Sequence, residues 1–208
     1  MSNQFTLMRE KRFRPFFFVQ FLGAFNDNLF KTALITLVVF QSTTLTTLNP
    51  SMLATLLPGL FILPFFLFSA TSGQIADKFE KSSLMRLVKV FEIGIMTLAA
   101  LGFVFHIFWV LVLALFLMGM HSSLFGPVKY AYLPQHLNAR ELLGGNGMVE
   151  MGTFLAILFG QIGGAWLVMQ IGGEVWAAVA VVLFAVLGYV FSREVPNSPA
   201  ADALLKIN

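Results

Sequence analysis

The chain has 208 residues, 58% of them hydrophobic and 11% charged, with a mean hydropathy of +0.83 and a formal net charge of +3. That balance excludes an ordinary soluble domain and a disordered chain, and it defines an integral membrane protein whose apolar surface faces lipid. Zero cysteines exclude disulfides and thiolate metal sites.

Apolar runs over 15–41, 51–73, 84–104, 107–128, 143–170 and 174–192 each come close to the ~20 residues a helix needs to cross the hydrocarbon. The expected fold is therefore all-α, with residues 1–14 as a cytoplasmic segment, 15–192 as a six-helix transmembrane bundle and 193–208 as the start of a cytoplasmic linker. Lys and Arg fix the orientation. Arg9, Lys11, Arg12 and Arg14 precede the first span, Lys78, Lys81, Arg86 and Lys89 follow the second, Lys129 and Arg140 follow the fourth, and Arg193 and Lys206 follow the sixth. The connections near 42–50, 105–106 and 171–173 carry neither residue type, which predicts that both termini are cytoplasmic. The basic excess thus reports topology, and membrane lipids rather than nucleic acid are the expected partners.

In the first span Gln20, Asn26, Asp27, Asn28 and Lys31 interrupt the apolar run. An ionised group near the bilayer centre costs roughly 2.5 to 3.5 kcal/mol on insertion scales, so Asp27 and Lys31 are expected to face a protein interior or a wet cavity. At about 100° per residue, Gln20, Gly23, Ala24, Asp27 and Lys31 share one narrow face, with Phe21, Phe25, Leu29 and Ile35 covering the remainder. A blander reading is an ion pair at i, i+4 that only neutralises itself.

Asn49 or Ser51 is placed to cap the second span, and Pro58 and Pro64 are expected to bend it. That span ends in Gly73-Gln74-Ile75-Ala76-Asp77-Lys78-Phe79-Glu80-Lys81, and Gly73, Asp77, Lys78 and Lys81 resemble the loop motif between the second and third helices of the major facilitator superfamily. Glu80 departs from that motif, which usually has glycine there. In the third span Lys89 is close enough to the cytoplasm to snorkel. Glu92, deeper in, needs a partner or water, either in a cavity or in a bond to a neighbouring helix. Gly126-Pro127 predicts a bend that directs Lys129 toward the bundle axis or into the headgroups. The fifth span carries a second polar stripe with Asn146, Glu150, Thr153 and Gln161, together with Gly160-x-x-x-Gly164, a close-packing motif. Gly73-Gln74-Ile75 and Gly160-Gln161-Ile162 fall at positions that would correspond if the spans formed a 3+3 inverted repeat.

No phosphate-binding Gly-x-x-x-x-Gly-Lys run and no Gly-x-Ser-x-Gly elbow occurs, and His106, His121 and His136 do not pair at metal-ligand spacing. No catalytic residue, metal or cofactor is expected.

Taken together, Gln20 through Asn28, the Gly73 to Lys81 loop, Gly126-Pro-Val-Lys-Tyr130 and Gly145-Asn-Gly-x-x-Glu150 closely resemble the bacterial lysophospholipid transporter branch of the major facilitator superfamily. They equally resemble the transporter-like N-terminal region of fused proteins that add an acyltransferase and an acyl-carrier-protein synthetase. The likeness covers about 13–194. It implies one six-helix half of a transporter in the bacterial inner membrane, working with a second six-helix half and in some settings beside an acyltransferase. Its cargo would be lysophosphatidylethanolamine and related lysophospholipids, moved for reacylation on the cytoplasmic side. On that likeness Asp27, Lys129 and Glu150 match polar positions of the family's cavity, and Gln20, Asn28, Lys31, Glu92 and Asn146 complete the candidate set. An anchor for an acyltransferase, without transport, and a transporter half for another solute are the competing readings.

Overall fold

The computed structural model describes residues 4–40 and 45–207, and these residues are organised as helices joined by short turns. A short 3-10 helix, Gln4–Arg9, precedes six long helices: α1 Arg14–Phe40, α2 Pro50–Lys78, α3 Lys81–Val104, α4 Phe108–His136, α5 Ala139–Val168 and α6 Gly173–Ser192. Part of the expected connection near 42–50, namely residues 41–44, lies outside the described residues. Five helices, α2 to α6, are long and apolar enough to cross a membrane. α1 is also long, at 27 residues, but its five polar side chains interrupt the apolar run.

Local chemistry sets the helix ends. The Asn49 side chain accepts hydrogen bonds from the backbone N–H groups of Ser51 and Met52 at 2.9 and 3.3 Å, and Pro50 occupies the first helical position, where its missing N–H is no loss. Glu80 caps α3, accepting from Ser82 and Ser83 N–H at 3.0 and 2.7 Å. At the start of α5, Glu141 reaches back to the N–H of Asn138 at 2.9 Å. Pro58 and Pro64 in α2, and Pro127 and Pro134 in α4, leave both helices continuous.

The most extensive packing joins helices that are not sequence neighbours: α1 with α5, α2 with α4, and α3 with α6. Glycine makes two of these crossings possible. A Cβ at Gly160 or Gly164 would collide with the carbonyls of Phe25 and Leu29 on α1, and one at Gly119 with the carbonyl of Phe61 on α2. Side chains then form two apolar cores. One gathers Leu34, Leu37, Met96, Leu115 and Val181 toward one end of the bundle; the other gathers Phe16, Met85, Val128, Tyr132 and Met148 toward the opposite end. Between them runs a polar belt that includes Gln20, Asn26 and Asn28 of α1, Lys89 and Glu92 of α3, and His121 and Ser123 of α4, all buried.

The second core sits at the end that carries both chain termini. Arg12 makes a two-pronged ion pair with Glu141 at 2.9 and 2.8 Å and donates to the His136 carbonyl at 2.7 Å, while the Tyr132 hydroxyl donates to the Arg12 carbonyl at 2.9 Å. Leu7 and Phe13 are buried beside them. Residues 193–207 lie against the same end. Lys81 donates from its backbone N to Ser198 at 2.9 Å and from its Nζ to the Pro199 carbonyl at 2.8 Å, and Ser198 donates its N–H to Glu80 at 2.6 Å and its hydroxyl to Gln135 at 2.5 Å.

Candidate functional site

Within the polar belt α1, α2, α4 and α5, with one side chain from α3, enclose a cavity of about 390 Å³. α1 contributes Gln20, Asp27, Asn28 and Lys31, the stripe that helical periodicity places on one face; Phe61 and Phe65 of α2 and Ile157 of α5 form apolar wall. Two larger hollows, of about 540 and 640 Å³, are lined almost wholly by apolar side chains such as Leu56 and Trp109, or Leu87 and Phe91. Hydrophilic chemistry is therefore concentrated in the smaller one.

The charges of the belt fall into two groups. Four are paired: Lys89 Nζ stands 2.6 Å from Glu92 Oε2, and Lys129 Nζ stands 2.9 Å from Glu150 Oε1, which also accepts from the Tyr130 hydroxyl at 3.1 Å. Asp27 and Lys31 are different. Asp27 Oδ2 accepts from the Ser122 hydroxyl at 2.5 Å, while its Oδ1 is buried with no hydrogen-bond partner. Lys31 Nζ rests 4.9 Å above the ring of Phe61. Among the described residues neither group lies within 4 Å of an opposite charge, so this i, i+4 pair makes no direct salt bridge. The site offers a carboxyl and an amine, held one turn apart on one helix and neither in direct contact with an opposite charge.

Of the other expected residues, Gln20 lines the cavity and donates to the Thr153 hydroxyl at 2.8 Å, and Asn28 lines it while donating to the Ala24 carbonyl at 2.8 Å. Lys129 is buried on the cavity wall, and Glu150 stands behind it as its counter-ion. Asn146 is half-buried on α5 away from the wall. Glu92 is fully buried behind the wall, where Asn26 donates to its Oε1 at 3.0 Å. Lys89 does not snorkel: it is 1% exposed and faces the cavity, because an unpaired Glu92 in the same interior would cost more than holding the lysine there. Gly73, Asp77 and Lys78 form the last turns of α2 and Lys81 the first residue of α3, remote from the cavity. Of the four, Asp77 and Lys81 hold residues 198–202, with the Asp77 carbonyl accepting from Ala201 and Asp202 at 2.9 and 3.0 Å. His121 and Ser122 were not singled out from the sequence as cavity residues, although His121-Ser122-Ser123 breaks an otherwise apolar run.

Among the described residues, five membrane-length helices and a charged cavity between them define an α-helical membrane protein. The sequence profile of the Major Facilitator Superfamily matches residues 16–206, and the chain belongs to that family. It is 30% identical over 159 residues to the lysophospholipid transporter LplT of Escherichia coli (strain K12 / DH10B) and, with the same identity and length, to that of Shigella boydii serotype 18. The match takes in 76% of this chain and 37% of each relative, so the chain spans well under half the length of these relatives.

Proposed function

We propose that the chain forms one six-helix half of a secondary transporter that moves lysophospholipids across the bacterial inner membrane, presenting them for reacylation on the cytoplasmic side. α1 spans the membrane together with the five more apolar helices, with the polar stripe turned inward. The basic end of the bundle, with Arg9, Arg12, Arg14, Lys78, Lys81 and Arg140, is the cytoplasmic end; the described turns at 45–49, 105–107 and 169–172 carry no Lys or Arg. A 3+3 inverted repeat is supported by the packing pattern. Exchanging helices 1, 2, 3 for 4, 5, 6 turns the α1–α5 pair into the α4–α2 pair and returns the α3–α6 pair to itself, and these are the three most extensive contacts.

The observation that carries the reading is that Asp27 and Lys31 share one cavity wall and neither is in direct contact with an opposite charge. A lysophosphatidylethanolamine headgroup has the complementary pair, a phosphate for Lys31 and an ammonium for Asp27, and replaces by charge-assisted hydrogen bonds the hydration it gives up. Lys129 and Glu150 already satisfy each other, which assigns them to shaping the wall. Phe61, Phe65 and Ile157 supply an apolar surface for the start of the single acyl chain. Transport then needs a second bundle against which this one rocks.

The test is flipping of labelled lysophosphatidylethanolamine by the full-length protein in liposomes. Asp27→Ala is expected to lower flipping at least tenfold, since a hydrogen bond to a charged group is worth about 1.5–3 kcal/mol, with membrane insertion unchanged. Wild-type flipping by that variant removes Asp27 from the headgroup site, and flipping lost for lysolipid but retained for a sugar or drug points to another solute.

A further inference from the structure

The headgroup reading leaves one buried cluster unused. Glu92 sits at its centre, with Oε1 held by Asn26 at 3.0 Å and Oε2 facing two basic side chains: Lys89 at 2.6 Å and His121 Nε2 at 3.4 Å. Asn26 is itself fixed, since its Nδ2 also donates to the Val181 carbonyl at 3.0 Å. The carboxylate is therefore rigidly placed. Its two basic neighbours are not equivalent. Lys89 supplies the one charge that Glu92 needs, while neither ring nitrogen of His121 has a hydrogen-bond partner. Both Lys89 and His121 reach the cavity wall; Glu92 does not.

Lys89 also reaches the cavity. Its ammonium lies in a slot between two glycines, where a Cβ at Gly23 would stand 2.7 Å from Nζ and one at Gly188 3.4 Å from it. The ring of Phe125 lies 5.5 Å from Nζ. A flexible four-carbon stem whose ammonium lines a polar cavity can be drawn toward an anion arriving there. Glu92 would then be left as an unpaired carboxylate in the interior, which is strongly unfavourable. His121 is placed to supply the missing charge by binding a proton.

We propose that Lys89 and His121 exchange as the counter-ion of Glu92, so that capture of Lys89 by an anionic group in the cavity is coupled to uptake of one proton on His121. The inference rests on the proposed headgroup site only for the identity of the anion, a lipid phosphate. The other charges around the cluster do not supply the alternative counter-ion. Asp27 on α1 is a carboxyl and supplies no positive charge, Lys31 on α1 lies over Phe61, and Lys129 on α4 is paired with Glu150 of α5. On α2 and α6 the charged residues, Asp77, Lys78 and Glu174, lie in terminal turns. By reciprocity, a ligand that brings a proton with it binds more tightly as pH falls, by up to tenfold per unit while His121 titrates.

Two measurements on the full-length protein test this. The first needs no ligand: side-chain nitrogen NMR of His121 in lipid at pH 7. Lys89→Met is expected to convert its imidazole signal to that of an imidazolium, and the double variant Lys89→Met/Glu92→Gln to restore the neutral form. A neutral His121 in a folded Lys89→Met protein overturns the exchange. The second is the affinity for lauroyl-lysophosphatidylethanolamine between pH 5.5 and 8, expected to rise as pH falls in the wild type and to lose that slope in His121→Gln. A slope that survives in His121→Gln also overturns it. Absence of binding at every pH counts against the lysophospholipid reading, and the NMR result then decides the exchange on its own.

Discussion

Asp27 and Lys31 show how position rather than residue type sets the role of a charge. Lys31, Lys89 and Lys129 all line one cavity, yet only Lys31 has no carboxylate within ion-pairing distance among the described residues. Replacing Lys31 with Met therefore removes a cation available to ligand. Replacing Lys129 with Met mainly releases Glu150, whose side chain is 42% exposed and so loses little. The expected outcome is a roughly tenfold loss of lysophospholipid affinity for Lys31→Met, read in a binding titration, and a smaller loss for Lys129→Met. Equal losses would place the phosphate between the two. Ser122→Ala removes the hydroxyl that donates to Asp27. It should lower stability by about 1–3 kcal/mol, the cost of stranding a buried acceptor, read as a lower melting temperature.

Among the helices, the crossing of α1 and α5 is the most sensitive. Gly164 lies against the Leu29 carbonyl and the Ala33 N–H, so Gly164→Leu forces the two backbones apart. Overpacking of this kind costs about 1–3 kcal/mol or more, and the melting temperature of the purified protein should fall by several degrees. Gly73→Ala is the control, because a Cβ there meets nothing within 4 Å. Close packing on α5 was legible in advance from Gly160-x-x-x-Gly164, though not its partner α1, as were a cap at Asn49 or Ser51 and the polar stripe of α1, since each is a local pattern with a local cause. Helix ends were less so. The apolar run expected over 107–128 belongs to a helix that continues to His136, and α5 begins at Ala139 rather than 143, because hydropathy marks where lipid stops and hydrogen bonding carries the helix beyond it. The burial of Lys89 had no local signature at all. A lysine early in a helix reads as solvent-seeking until Gly23 and Gly188, from two other helices, are seen to leave it a channel.

Across the whole molecule, the N-terminal and C-terminal segments clasp one end of the bundle. Glu80 joins two jobs there, capping α3 and accepting the Ser198 N–H at 2.6 Å. Burial pushes its carboxyl up, but the hydrogen bonds from Ser83, Ser198 and Ser82 outweigh that and hold it down at about 2, against an ordinary value of 4.5. A carboxyl depressed by folding contributes stability that is complete above the ordinary value and is lost as pH falls toward the folded one. The clasp should therefore hold unchanged down to about pH 4.5 and loosen progressively between there and about pH 2. Hydrogen exchange of residues 195–205 is the readout, and Glu80→Ala should show at neutral pH the faster exchange that acid produces in the wild type. An exchange rate that ignores both would separate the segment from Glu80.

The pairing of α1 with α5 also has a bearing on biosynthesis. About a hundred residues separate the end of α1 at Phe40 from the start of α5 at Ala139, so a ribosome finishes the first helix long before the helix that shields it exists. During that interval Asp27 and Lys31 have no wall to face, and the nascent helix is the least lipid-compatible of the six. Chains truncated after α3 are expected to hold α1 poorly in the bilayer, and chains extended through α5 to hold it firmly, which glycosylation-site mapping across the membrane would resolve. The side chains best suited to hold a polar cargo are thus the ones that make α1 depend on a later-made helix to stay inserted.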